Sequence, residues 1–352
     1  MKTIILDFKP KETVKKFLLI IPERSRDIIT KRYGLGKNPD HMTLDAIGKT
    51  YNITRERVRQ IENHALSTIR KSENYLREKP VFDKIEKIIS DLGGIIVEQD
   101  LLDSISKNSH IQNYINFILV IGHSFNKIKE DEDFKHRWFI DNSLAEKIHI
   151  SLKKLFENLK DDDLISEQEI IKNFLSYIED ISEQYRTEEI AKRWLSLSKK
   201  ISKNPLGEWG KTISPNISMK GVRDYAYLII RKHGSPMHFM EVVKAINTIF
   251  KKKAHIATTH NELIKDPRFV LVGRGLYALS EWGYMSGVVK DVIIKLIEKN
   301  GPLTKNEIVE KVLKERYVKE NTIVINLQNR NYFTKNKNDK YEIAKEGEKK
   351  KT

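Results

Sequence analysis

The stretch that decides the reading is Thr43-Leu44-Asp45-Ala46-Ile47-Gly48-Lys49-Thr50-Tyr51-Asn52-Ile53-Thr54-Arg55-Glu56-Arg57-Val58-Arg59-Gln60-Ile61-Glu62-Asn63-His64-Ala65-Leu66-Ser67-Thr68-Ile69-Arg70. Thr43 and Thr54 each precede a helical pattern, where a hydroxyl accepts from an orphan N–H of the first turn. Asp45 stands in the first turn of the earlier helix, favoured there by the helix dipole. Leu44 and Ile47 face inward, Gly48 gives room for close helix packing, and Tyr51-Asn52-Ile53 is the turn. The second helix sets Val58, Ile61, Ala65 and Ile69 on one apolar stripe, with Leu66 beside it. Two capped helices joined by a short turn make a helix-turn-helix.

The opposite face of the second helix presents Arg55 and Arg59 one turn apart, and Glu56 and Gln60 one turn apart. Intrahelical ion pairing would account for such residues in isolation. The capped helix before them, the turn length and the basic surroundings favour a major-groove reader instead. Arg forks onto guanine or straddles phosphates, Glu accepts from cytosine N4, and Gln pairs with adenine.

Charge supports that direction. The chain of 352 residues carries a formal +15, unevenly spread. Residues 1–80 hold 18 Lys+Arg against 10 Asp+Glu; residues 81–140 and 141–205 are mildly acidic, at −3 and −2; residues 206–286 and 287–352 carry +6 each. Basic modules attract polyanions by releasing condensed counterions, although a Lys-rich, AT-biased genome gives a similar excess. The length suggests two to four domains rather than one enzyme core. With no cysteine there is no disulfide framework, thiol nucleophile or thiolate metal site. The apolar patch from Met1 to Phe8 is too short for a signal peptide or a span, and no later run approaches about eighteen apolar residues. A soluble, cytoplasmic chain without a membrane partner is expected.

One pattern recurs at least three times: helix, glycine turn, apolar step, second helix, and later a β-prone pair. The turns are Leu92-Gly93-Gly94-Ile95, His233-Gly234-Ser235-Pro236 and Asn300-Gly301-Pro302-Leu303. Each glycine should end its helix in a left-handed cap. The second helices carry Leu101, Leu102 and Ile105; Val242, Val243 and Ile246; Ile308, Val309 and Val312 at helical spacing. The strands are expected at Arg137–Ile140, Phe269–Leu279, and Tyr332–Thr334 with Lys340–Ile343. Helix, turn, helix, helix and hairpin is winged-helix order. Residues 144–205 read as a partial copy or a spacer, and Pro205, Gly207, Gly210, Pro215 and Asn216 as a linker.

The helix-turn-helix closely resembles region four of the primary bacterial sigma factors, which reads the upstream promoter hexamer. The resemblance runs from Ile21-Pro22-Glu23-Arg24 through Lys31-Arg32-Tyr33-Gly34-Leu35-Gly36 to about Lys71. It is carried by Thr43-Leu44, Ile47-Gly48, Thr54-Arg55-Glu56-Arg57-Val58-Arg59-Gln60-Ile61-Glu62 and Ala65-Leu66. It implies that Arg55, Glu56 and Gln60 meet base edges, while Thr43, Thr54, Arg57 and Arg59 hold the DNA backbone, Arg57 and Arg59 being otherwise available to activators. It also implies association with RNA polymerase through the β-subunit flap. No counterpart of sigma region two is found, and only about twenty residues precede the match. A self-sufficient sigma factor is therefore not expected. Residues 219–284 resemble the HARE helix-turn-helix module of the RNA polymerase delta subunit, some restriction enzymes and chromatin proteins. The carrying residues are Arg223-Asp224-Tyr225-Ala226, Gly234-Ser235-Pro236-Met237-His238-Phe239 and Phe269 to Gly283.

The expected fold class is mainly α and multidomain, a sigma region-four helix-turn-helix followed by winged-helix-like α+β modules. The segments are 1–80, the helix-turn-helix; 81–143, a winged-helix-like module; 144–213, a helical spacer and linker; 214–286, the HARE-type winged helix; 287–345, a C-terminal winged-helix-like module; and 346–352, a charged tail. The function implied is a nucleoid-associated, promoter-binding transcription factor that modulates initiation. The alternatives are a polymerase-independent DNA-binding regulator and a DNA-binding accessory subunit of a restriction or DNA-processing system. Gly34-Leu35-Gly36-Lys37 lacks phosphate-loop spacing. His255 and His260 have no partner in metal-ligand register, and Asp161-Asp162-Asp163 reads as a helix boundary rather than a calcium loop. Lys251-Lys252-Lys253 suits phosphate tracking and a solvated loop equally. No catalytic arrangement, cofactor or metal is expected.

Overall fold

The structure is a computed structural model that describes residues 4–178 and 181–344; the charged tail lies outside the described residues. It is mainly α, with small antiparallel sheets, and divides into two units, residues 1–213 and 214–352. No helix among the described residues is long and apolar enough to cross a membrane.

The first unit opens with α1 (Pro10–Leu18), α2 (Glu23–Tyr33), α3 (Leu44–Tyr51) and α4 (Arg55–Arg70). Both threonine caps form: Thr43 Oγ1 accepts from the Ala46 N–H at 3.1 Å, and Thr54 Oγ1 from the Arg57 N–H at 3.2 Å. The chain continues through α5 (Glu73–Arg77), α6 (Lys79–Asp91), β1 (Ile95–Val97), α7 (Glu98–Ile105), α8 (Ser109–Ile121), β2 (Asn126–Ile128) and β3 (Arg137–Phe139). Its sheet has the order β1-β3-β2, so the apolar step after Gly94 is a strand paired with β3. One core joins Phe17 of α1 and Ile69 of α4 to Ile85, Phe117 and Ile118. The helix-turn-helix is thus built onto residues 81–138.

Next come α9 (Asn142–Asn158), α10 (Glu167–Ser176), α11 (Glu188–Leu195), β4 (Ile201–Lys203) and β5 (Trp209–Lys211). Ile165 bridges Trp209 of β5, as β1 pairs with β3. The stretch that reads as a partial copy or a spacer has the same order of elements, with Phe174 and Trp194 fully buried in its core. Pro205 and Gly207 lie in the hairpin turn, Gly207 at φ +87°, and Gly210 belongs to β5, so these residues punctuate a hairpin rather than a linker. The glycine signal fails here because α9 ends into Leu159-Lys160-Asp161-Asp162-Asp163 with no glycine.

In the second unit α12 (Val222–His233), β6 (Met237–His238), α13 (Phe239–Ile249), α14 (Ile256–Lys265), β7 (Phe269–Gly273) and β8 (Leu276–Leu279) form one copy, sheet order β6-β8-β7. The last copy is α15 (Val289–Asn300), α16 (Lys305–Glu315), α17 (Glu320–Leu327), β9 (Phe333–Lys335) and β10 (Tyr341–Ile343), with Leu303 bridging Tyr341. Gly234 is the left-handed cap expected. Gly301 differs, at φ +78° and ψ −169°, because the chain extends at once toward Leu303. Leu92 caps α6, and the positive φ angles fall on Gly93 and Gly94 after it.

Candidate nucleic-acid interface

A small core of Ile28, Ile47 and Val58, each fully buried, ties α2, α3 and α4 together. The turn between α3 and α4 rests on two backbone devices. Asn52 takes the left-handed conformation at φ 52°, which asparagine tolerates better than most residues. A Cβ on Gly48 would stand 2.6 Å from the Ile53 carbonyl oxygen. The glycine therefore admits the turn backbone, a more local role than helix packing.

Helix α4 divides along its length. Its first turns expose Arg55, Glu56, Arg57, Arg59 and Gln60, and only Val58 turns inward. Its second half buries Ala65, Leu66 and Ile69 in the large core. Arg70 then donates from Nε to the Ile121 carbonyl at 3.0 Å and from Nη2 to the Val120 carbonyl at 2.6 Å. These are the last carbonyls of α8, where a cation also meets the negative end of the helix dipole. The exposed end of α4 is thereby cantilevered from a buried one.

Glu62 lies on the inward face although it is charged. It accepts from the Tyr33 hydroxyl at 2.8 Å and lies 3.6 Å from Arg32 Nε, while Arg32 donates to the Met42 carbonyl at 3.1 Å. Burial, and then the adjoining carboxylate, raises the Tyr33 phenol above its ordinary value. The cluster clamps α4 to α2 and to the segment entering α3. Asn113 of α8 holds the same connection, donating to the Gly34 and Pro39 carbonyls at 3.0 and 2.8 Å and pairing with His41 at 2.8 Å. Sequence reading missed Glu62, Arg70 and Asn113 as positioning groups. The one available signal was a carboxylate one turn beyond Val58, on an otherwise apolar stripe.

Thr54, Arg55, Glu56, Arg57, Arg59 and Gln60 lie together at the cap and first turns of α4, while Thr43 caps α3. Thr43 and Thr54 spend their oxygens as cap acceptors, which leaves each O–H as a donor. Arg59 grips Glu56 bidentately at 2.7 and 2.8 Å, and Arg57 donates to Gln60 Oε1 at 3.1 Å. Arg59's hydrogen bond holds the Glu56 carboxyl below its ordinary value, so it is ionised and acceptor-only. Arg24 and Lys31 stand 5.6 and 4.9 Å from the Tyr51 ring centre, adding cations beside the turn. Elsewhere His260 stacks on Phe239 at 4.5 Å, and among the described residues no His, Asp and Glu side chains cluster as a metal site.

Residues 18–71 match the family described as sigma-70, region 4. The chain is also similar to RNA polymerase sigma factor RpoD of Helicobacter pylori, 40% identical over 73 residues, covering 19% of this chain and 11% of the relative. It is 42% identical over 57 residues to RNA polymerase sigma factor RpoS of Coxiella burnetii, 16% of each chain. Against RNA polymerase sigma factor SigA of a Nostoc species the identity is 43% over 60 residues, 17% of this chain and 15% of the relative. The match thus spans between about a ninth and a sixth of these curated relatives. The family match over residues 18–71 runs from the last residue of α1 through α4.

Proposed function

We propose that this chain is a non-enzymatic, sigma- and delta-like transcription factor of the cytoplasm and nucleoid. It reads promoter DNA through α4 and associates with RNA polymerase to modulate initiation. The observation that carries the reading is the anchored α4 with its exposed Arg55, Glu56 and Gln60, inside a segment matched to sigma-70 region 4. The sigma-factor names of the relatives support a polymerase partner, and the β-subunit flap is the contact that the resemblance implies. Helix, strand, helix, helix and hairpin over 222–279 supports the winged-helix, HARE-type reading of 214–286.

Glu56 and Gln60 are engaged by Arg59 and Arg57. Exposed pairs of this kind contribute little stability, whereas a good base contact discriminates about ten- to a hundredfold. The groove therefore wins that competition. Competition binding of the full chain to a selected duplex and to scrambled DNA tests it. Glu56→Ala should lose about ten- to a hundredfold on the selected site only. The charge it liberates on Arg59 works against any loss on scrambled DNA. Arg59→Ala should weaken both DNAs alike and lower the salt slope by about one. Equal losses from both variants on both DNAs would make α4 a charged surface and not a reader. Capture by core RNA polymerase tests the second half. Duplex binding without capture would leave the polymerase-independent regulator as the answer, and promoter opening with core enzyme alone would overturn the reading of this chain as a modulator rather than a self-sufficient sigma factor.

A further inference from the structure

The four copies of the repeat place their third helix differently. In the first two, α8 buries seven residues, among them Tyr114, Phe117 and Ile118, and α11 buries Ile190, Ala191, Trp194 and Leu195. In the last copy α17 buries only Ile323 and Leu327. Asn321, Thr322, Ile325, Gln328 and Asn329 are exposed on its far side, Ile325 at 63%. A solvated helix face normally carries charge, yet this one has none after Glu320. Amides and an aliphatic side chain are instead what A·T pairs call for: Asn and Gln pair bidentately with adenine, and an apolar group packs on the thymine methyl.

Cations frame that face. Lys319 precedes α17, Arg330 follows it, and Lys337 sits in the β9–β10 turn, all exposed. Asn336 Oδ1 accepts from the Asn338 and Lys340 N–H groups at 3.0 and 3.1 Å, which fixes that turn. On the other flank the Tyr317 N–H donates to the Val272 carbonyl at 2.7 Å, bringing the β7–β8 hairpin, with exposed Arg274 at its tip, to the entry of α17. Arg316 is buried and donates to the Met285 and Gly287 carbonyls, which anchors the same entry.

We infer that α17 is a second duplex-DNA reader, lying in the major groove of A·T-rich sequence, with Lys319, Arg330, Lys337 and Arg274 on the phosphates. This goes beyond the α4 reading and stands on separate residues. The test uses the full chain with α4 silenced by R55A, R57A and R59A together, and matched A·T-rich and G·C-rich duplexes followed by fluorescence anisotropy. The silenced chain should still bind duplex, with about a tenfold preference for A·T. Adding K319Q, R330Q and K337Q should lower the salt slope by about three. Adding N321A and Q328A instead should erase the A·T preference and leave the slope unchanged. These positions are exposed, and an unchanged circular dichroism spectrum checks the fold. A silenced chain that no longer binds duplex overturns this inference and leaves α4 standing. So does one that binds single-stranded RNA of equal length more tightly than duplex. Unchanged wild-type binding after the α4 substitutions, lost on changing α17, overturns the α4 reading alone.

Discussion

Helices α8 and α17 hold the same place in two copies of one topology, each being the third helix of its copy and leading into a hairpin whose last strand pairs back to the first apolar step. Their uses differ. Helix α8 is apolar nearly all round, Ile115, Phe117, Ile118, Leu119 and Ile121 being buried, and its C-terminal carbonyls receive Arg70 of α4. A helix of that kind is scaffold. Helix α17 keeps two buried anchors and a polar far side. Charge follows the same division, −3 and −2 over the first two copies and +6 over each of the last two regions. A single architecture thus serves as foundation for the anchored α4 in the first unit and offers exposed helices in the second, according to how much apolar surface its third helix carries.

The largest test of this contrast is truncation within the two helices. Phe117→Ala in α8 should cost about 3–5 kcal/mol, because the ring is fully buried and its cavity cannot collapse. Ile325→Ala in α17 should stay within about 0.5 kcal/mol, as for other surface sites. Chemical denaturation of both variants checks the pair, and equal losses would erase the distinction between scaffold and exposed helix.

Glu62→Ala comes next, at about 1–3 kcal/mol, since it leaves the Tyr33 hydroxyl and the Arg32 guanidinium short of a buried acceptor. The same variant should weaken duplex binding although Glu62 touches no DNA, because α4 loses its clamp. Thr54→Ala should cost about 1 kcal/mol by removing the α4 cap. If Thr54 also meets a phosphate, its loss in duplex affinity should persist after correction for the unfolded fraction, whereas the Glu62 loss should track unfolding.

The smallest effect concerns pH. Burial, and then the Arg137 guanidinium, lowers the His149 pKa from 6.5 to about 4, with Lys153 acting in the same direction and Asp131 opposing it. The neutral ring accepts from Arg137 Nε at 2.8 Å. Since the folded value lies below the unfolded one, the unfolded chain takes the proton first. Stability from this group is whole above pH 6.5 and declines as pH falls toward about 4. His149→Gln keeps an acceptor for Arg137 and should flatten that decline in the thermal midpoint, with little change at pH 8. An unaltered pH profile would place the acid sensitivity of the first unit elsewhere.

Much of the reading head was legible because its signals are local. Thr43 and Thr54 announce where two helices begin, since a hydroxyl acts on N–H groups two or three residues away. The turn glycines, with positive φ at Gly93, Gly94, Gly234 and Gly301, announce three of the repeats. The apolar residues assigned to the second helices, from Leu101 to Val312, are all buried. The copy from α9 to β5 reads only as a partial copy or a spacer because no glycine marks its first turn, and its pairing through Ile165 and Trp209 is a contact between distant residues.

What the sequence determined by itself is therefore the two helices of the helix-turn-helix, their caps and the face of α4 that solvent sees. Tertiary structure alone decided that Glu62 is a clamp rather than a surface charge, that Arg70 caps another helix, and that α8 is foundation while α17 is exposed. Caps and amphipathic stripes depend on neighbours within one or two turns of chain. Burial depends on which remote surface arrives to cover a face, as α8 does for α4 from some fifty residues away.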